Sequence, residues 1–213
     1  MKRETKATPN LKYRNYNRKK MEEETIKTGN IYYPPGGILI WFIIILELFT
    51  FLGAALVFLH YRKTMLEEFT LSKEMLTPLI GTINTIVLIT SGYFMAISVN
   101  KLRENNTKKS ALYILVGLVL GIVFLGIKSI EYYHKIELGI GFNYNTFFTF
   151  YWLMTGFHFV HVLFGVGLLG YMYFAIKKGT YHAGNRLDVE TSATYWHMCD
   201  LIWILIFPIL YLL

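Results

Sequence analysis

The sequence predicts an all-α, polytopic membrane protein: a bundle of five transmembrane helices with its N-terminus inside. Three observations predict it. Of 213 residues, 54% are hydrophobic, which is above the soluble range. The apolar residues come in blocks of about 20, the length that carries a helix across a hydrocarbon core of ~30 Å. The basic residues fall mostly on one side of those blocks, which sets the orientation. A soluble all-helical protein would show narrower apolar stripes, each with a wet face.

Residues 1–35 read as a basic cytoplasmic tail. Few side chains in "MKRETKATPNLKYRNYNRKKMEEETIKTGN" could build a core, so we expect disorder there. The turn "YYPPGG" (32–37) delivers the chain to the membrane. Residues 36–213 then form one transmembrane domain with spans at 38–60, 77–99, 111–133, 146–176 and 194–213. The first apolar run starts after a long charged stretch and is itself long, so it is expected to be a retained span and not a cleaved signal peptide. The fourth is longer than a bilayer needs, so it should tilt or protrude.

Loop charge gives the orientation. Sixteen lysines and arginines fall on the side of the N-terminus, nine of them in the tail. The opposite side has four: Arg62, Lys63, Lys73 and Lys135. The N-terminus is therefore expected in the cytoplasm and the C-terminus outside. The net charge of +7 reflects this topology and attraction to anionic lipid, not nucleic-acid binding. A lone cysteine, Cys199, excludes an internal disulfide, a paired-cysteine copper site and a C-x-x-C-H haem attachment.

Polar groups inside the spans are the functional candidates. At ~1.5 Å rise per residue, Glu47 and His158 fall near mid-membrane. His161 lies one turn further in, and His197 and Asp200 lie in the inner half of the fifth span. An ionised acid at mid-membrane costs ~2.5–3.5 kcal/mol on insertion scales. Glu47 must therefore be protonated, paired or facing a wet cavity. His158 and His161 are three apart and share a helix face, as do His197 and Asp200. These four could supply metal ligands. Yet only three of six histidines lie deep, and two of those share a helix. Hydrogen bonding to neighbouring helices or lipid head groups is the favoured reading. The pair Gly117/Gly121, and Gly165, Gly167 and Gly170, offer close helix contacts.

These residues carry a resemblance. "TFFTFYWLMTGFHFVHVLFGVGLLG" resembles the signature of subunit III of the haem-copper oxidases, T-G-x-H-x-x-H-V-x-x-G after a phenylalanine pair. "VETSATYWHMCDLIWILIFPILYL" is similar to that family's last helix, with glutamate followed by Y-W-H-F-V-D-x-x-W. "WFIIILELFTFLGAALVFLH", "TPLIGTINTIVLITSGYFMA" and "LGIVFLGIKSIEYY" look like its preceding helices. The first span matches the third helix of the seven-helix form. Lys128 stands where the family usually has glutamine, and Met198-Cys199 replaces Phe-Val.

The resemblance implies a subunit without haem or copper of its own. It implies packing against subunit I, which holds the redox centres, in a complex with subunit II, and bound phospholipid. It further implies stabilisation of subunit I and support of its proton uptake in a bacterial inner membrane. By position, Glu47 matches the family's buried, carbodiimide-reactive glutamate. His158, His161, Glu190, His197 and Asp200 match positions that brace the bundle or lipid head groups. Arg186 stands near the place a lipid phosphate would take. None of these is catalytic. A quinol oxidase subunit and the related accessory subunit of nitric oxide reductases are the alternatives. An independent transporter would want inverted repeats or broken helices, and the sequence shows neither.

Overall fold

The computed structural model describes Pro34 and residues 36–213. The expected disordered tail therefore lies, Pro34 apart, outside the described residues. The order is α1 (Ile38–Thr64), α2 (Leu66–Glu74), α3 (Pro78–Arg103), α4 (Thr107–Glu137), α5 (Thr146–Lys177) and α6 (Leu187–Phe207). A π-helical turn, Pro208–Leu212, continues α6. Among the described residues five helices are long and apolar enough to cross a membrane: α1, α3, α4, α5 and α6 with its π turn.

Local chemistry sets the helix starts. Pro78 opens α3, where its missing N–H costs nothing. Asn106 caps α4 by accepting from the N–H of Lys109 at 3.2 Å. Asn145 caps α5 by accepting from Phe148 at 2.9 Å. A side-chain oxygen in that place takes one of the orphan N–H groups of the first turn.

Three features differ from the sequence reading. The last helix begins at Leu187, seven residues before the expected span at 194. Asp188 and Glu190 stand in its first turn, where the helix dipole favours acids and a hydropathy window sees only polarity. Arg186 and Glu190 thus belong to a helix start instead of a loop. Second, the loop after α1 contains α2, whose Phe69 ring packs on Phe58 at 5.1 Å and on Phe147 at 5.5 Å. Third, the chain ends in a π turn. Helix α5 agrees with its expected span to within one residue.

Helix α6 is the centre of the bundle. Of the apolar window of the last span, 61% is buried within the protein, against 22% for α1. The aromatic side chains of α6 sit in notches left by glycine. A Cβ on Gly121 of α4 would lie 2.6 Å from the Trp196 ring, and one on Gly165 of α5 would lie 2.8 Å from it. Trp196 also donates to Ser91 of α3 at 3.1 Å, and Ser91 donates to the Gly117 carbonyl at 2.7 Å. One indole thereby joins α3, α4 and α5. Helix contacts in lipid rest on such close packing and hydrogen bonds, because the surrounding tails are as apolar as leucine. Gly167 and Gly170 face open space and play no such part.

The antiparallel order gives the bundle two ends. At the first, α1 begins, α3 ends, α4 begins, α5 ends and α6 begins. There the Thr191 hydroxyl donates to the Gly36 carbonyl at 2.8 Å. At the second end, Arg62 donates to the Leu213 carbonyl, Lys73 to Leu212 and Lys135 to Met75. Basic side chains thus cover the carbonyls that close the bundle.

Candidate functional site

Three polar junctions interrupt the apolar bundle. At the first end, Glu190 Oε1 accepts from the Nε–H of both Arg103, at 3.0 Å, and Arg186, at 2.9 Å. Arg103 ends α3, so one carboxylate ties α3 to the start of α6. About two turns further along the same helix, His197 Nδ1 lies 3.3 Å from Asp200 Oδ2. The same Asp200 oxygen presses on Gly92 of α3, where an added Cβ would be 2.1 Å away. Beside this junction Tyr181 donates to Asp188 at 2.8 Å. Burial and that bond push the Tyr181 phenol up to about 12.

The second junction joins α1 to α5. His161 Nε2 lies 3.3 Å from Glu47 Oε1. His161 Nδ1 lies 2.8 Å from the Phe157 carbonyl oxygen, which can only accept. Nδ1 therefore carries hydrogen. The gap between Nε2 and Oε1 then holds a single proton, on the acid or on the ring. His158, one turn away, goes elsewhere. It is fully buried, stacked on Trp203 at 5.1 Å and edge-on to Phe124 at 5.8 Å. Neither of its ring nitrogens has a hydrogen-bond partner among the described residues. The two histidines that share a face by spacing are thus not brought together on any one group.

The third junction is the most enclosed. The Lys128 ammonium is 3.1 Å from Glu131 Oε2, 3.3 Å from Tyr151 Oη and 2.6 Å from Tyr211 Oη. Both phenols donate to the other carboxylate oxygen, Glu131 Oε1, at 2.7 and 2.6 Å. Each of the three N–H donors of lysine and both phenol O–H donors has an acceptor. Four rings, of Tyr132, Tyr151, Trp203 and Tyr211, stand 4.9–5.3 Å from the ammonium, within cation–π range. The circuit binds α4, α5 and the π turn.

Sequence reasoning did not single out Arg103, Tyr151 or Tyr211. It noted Lys128 only as a departure and did not pair it with Glu131. Their three-residue spacing, which puts both on one face, was the available signal. Nothing in the sequence brought Arg103 to Glu190, because that contact depends on where α6 starts. Among the described residues no three His, Cys, Asp or Glu side chains form a group that could hold a metal.

A five-span bundle closed by internal ion pairs, with apolar outer faces, defines an integral membrane protein. The family described as "Cytochrome c oxidase subunit III" matches residues 26–213. The chain belongs to the cytochrome c oxidase subunit III family. It is 33% identical over 167 residues to cytochrome c oxidase subunit 3 of Synechocystis sp., covering 76% of this chain and 69% of that one. To the subunit 3 of Thermostichus vulcanus it is 33% identical over 135 residues, covering 63% and 66%. To the probable subunit 3 of Rickettsia conorii it is 33% identical over 132 residues, covering 61% of this chain and 46% of that one. The matched part thus spans about two thirds of the Synechocystis and Thermostichus relatives and under half of the Rickettsia one.

Proposed function

We propose that this chain is the non-catalytic subunit III of a respiratory cytochrome c oxidase. It packs on subunit I, steadies it and supports its proton uptake. Haem and copper reside in partner subunits, with subunit II in the same complex, and phospholipid fills part of the subunit's surface. The membrane is a bacterial inner membrane, with the basic segment 1–35 in the cytoplasm and the C-terminus outside. The carrying observation is the family match over residues 26–213. The architecture agrees with the reading. The deep histidines face Glu47, Trp203 and Asp200 in turn, and the outer faces expose large apolar side chains such as Phe42, Phe49 and Ile86.

Isolation of the tagged chain in mild detergent tests this. The expected product contains a haem-bearing subunit, seen in the absorption spectrum, and a copper-bearing subunit II. A preparation that consumes oxygen from reduced cytochrome c completes the result. Recovery of the chain without any haem protein overturns the proposal. Recovery with a haem subunit but no copper-bearing one points to a quinol oxidase or a nitric oxide reductase.

A further inference from the structure

Among the described residues, six buried side-chain nitrogen or oxygen atoms have no hydrogen-bond partner. Three of the six belong to two residues: both ring nitrogens of His158 and the amide oxygen of Asn84. His158 is 0% exposed and Asn84 1%. Both lie beside Phe124 and Trp203, whose ring centroids are 5.1 Å apart. His158 stacks on Trp203 and stands edge-on to Phe124. Asn84 Nδ2 donates to the Phe124 carbonyl at 3.3 Å. Thr85, next in the chain, accepts from the Trp203 indole at 2.8 Å.

The roles of the three atoms follow from their neighbours. The Phe124 carbonyl can only accept, so the Asn84 atom facing it is the amide nitrogen and the free atom is the oxygen. No acid pairs with His158 among the described residues, and a charged ring without one is disfavoured in a closed interior. The ring is therefore neutral, with one N–H and one bare nitrogen. The donors around it are spent elsewhere. Trp203 gives its hydrogen to Thr85, and Thr155 gives its own to the Tyr151 carbonyl at 2.6 Å. One donor and two acceptors thus remain, and they make no bond with one another. An unpaired buried group costs its full desolvation, and in folded proteins such groups are paired with protein or with ordered water.

We propose that this place is a binding site for ordered water, in which one molecule accepts from the His158 N–H and donates to Asn84 Oδ1. Water has the donors and acceptors that the three atoms call for. The bare ring nitrogen points a different way and takes a hydrogen from a second molecule. A buried water makes about three such bonds. A metal ion would find one bare nitrogen and one neutral oxygen, short of a coordination set. The bridge ties α5 to α3 through the interior of the bundle. It gives His158 a bracing role without a direct bond to protein, and it stands apart from the oxidase assignment.

The test uses the complex purified in mild detergent. A cryo-electron microscopy map that shows ordered waters elsewhere in the chain should show density about 2.7–3.2 Å from both a His158 ring nitrogen and Asn84 Oδ1. Thermal midpoints of His158→Phe, Asn84→Leu and the double variant give a second readout. Each single change strands the other partner and should lower the midpoint by about 2–4 °C. The double change strands neither, so it should lose clearly less than the sum. Asn84→Leu also loses the bond to Phe124, but in both backgrounds, so that loss cancels from the cycle. No density at the site in such a map overturns the proposal, and so does density with the height and coordination of a metal ion. Additive losses, or a His158→Phe variant as stable as the parent, overturn it as well. Where a variant fails to assemble, the map of the unaltered complex decides alone.

Discussion

Tyr211 holds its hydroxyl 2.6 Å from the ammonium of Lys128. Two residues 83 positions apart are thus joined inside a membrane protein by an ion-pair circuit with every donor used. The π turn of Pro208–Leu212 carries Tyr211 to this place. Such turns are rare and tend to sit where a side chain must be aimed.

The circuit predicts a sharp non-additivity. Lys128→Met leaves the buried Glu131 without its cation, and breaking one side of a buried pair costs ~3–5 kcal/mol. The double change Lys128→Met/Glu131→Gln removes both charges while the amide oxygen still accepts from the phenols. It should cost far less than Lys128→Met alone. Thermal unfolding midpoints in detergent for the two single variants and the double variant check this. Additive losses would show that the two side chains act independently.

Glycine notches predict a contrast between neighbouring positions. Gly121→Ala puts a methyl group 2.6 Å from the Trp196 ring, and overpacking of this kind costs ~1–3 kcal/mol. Gly167→Ala meets nothing within 4 Å and should be neutral or slightly stabilising, since alanine suits a helix better by ~0.5–1 kcal/mol. The midpoint should fall for the first and hold or rise for the second.

Glu47 faces His161 across a 3.3 Å gap. Glu47→Gln can donate an amide hydrogen to the bare ring nitrogen, so it should leave assembly and oxygen consumption nearly unchanged. Glu47→Ala removes the link between α1 and α5 and should loosen α1, lowering recovery of the intact complex. Turnover of the purified variants decides the matter. A glutamine variant that assembles normally yet loses most turnover or pumping would mean that Glu47 itself carries protons.

Orientation is predicted by sixteen basic loop residues on one side against four on the other. A tag after Leu213 should be labelled in cells whose inner membrane is intact, and a tag before Met1 only after that membrane is opened. The reverse pattern would contradict this orientation, and both tags on one side would contradict the five-span topology.

The five spans and their order were legible because apolar runs of membrane length report directly on helices. The asparagine caps of α4 and α5 emerged only with the structure. What the sequence could not show is which polar groups meet. His158 and His161 share a face by spacing, yet one stacks on Trp203 and the other reaches Glu47. Arg103 and Glu190 meet only because α6 starts at Leu187. Hydropathy cut that polar first turn away. The role of Lys128 was likewise hidden, because its partners come from α5 and the final turn.

The central place of α6 constrains how the chain is made. A ribosome adding ~5–20 residues per second finishes α6 seconds after α5. During that interval the slot between Gly121 and Gly165 has no indole to fill it, and Glu131 has one phenol instead of two. The earlier helices therefore wait in the bilayer as a loose group, held mainly by α3 against α4. Arrival of α6 converts that group into a finished subunit in one step. A nascent chain stalled before Leu187 would display an open slot and a half-bonded acid, the kind of defect that membrane proteases recognise.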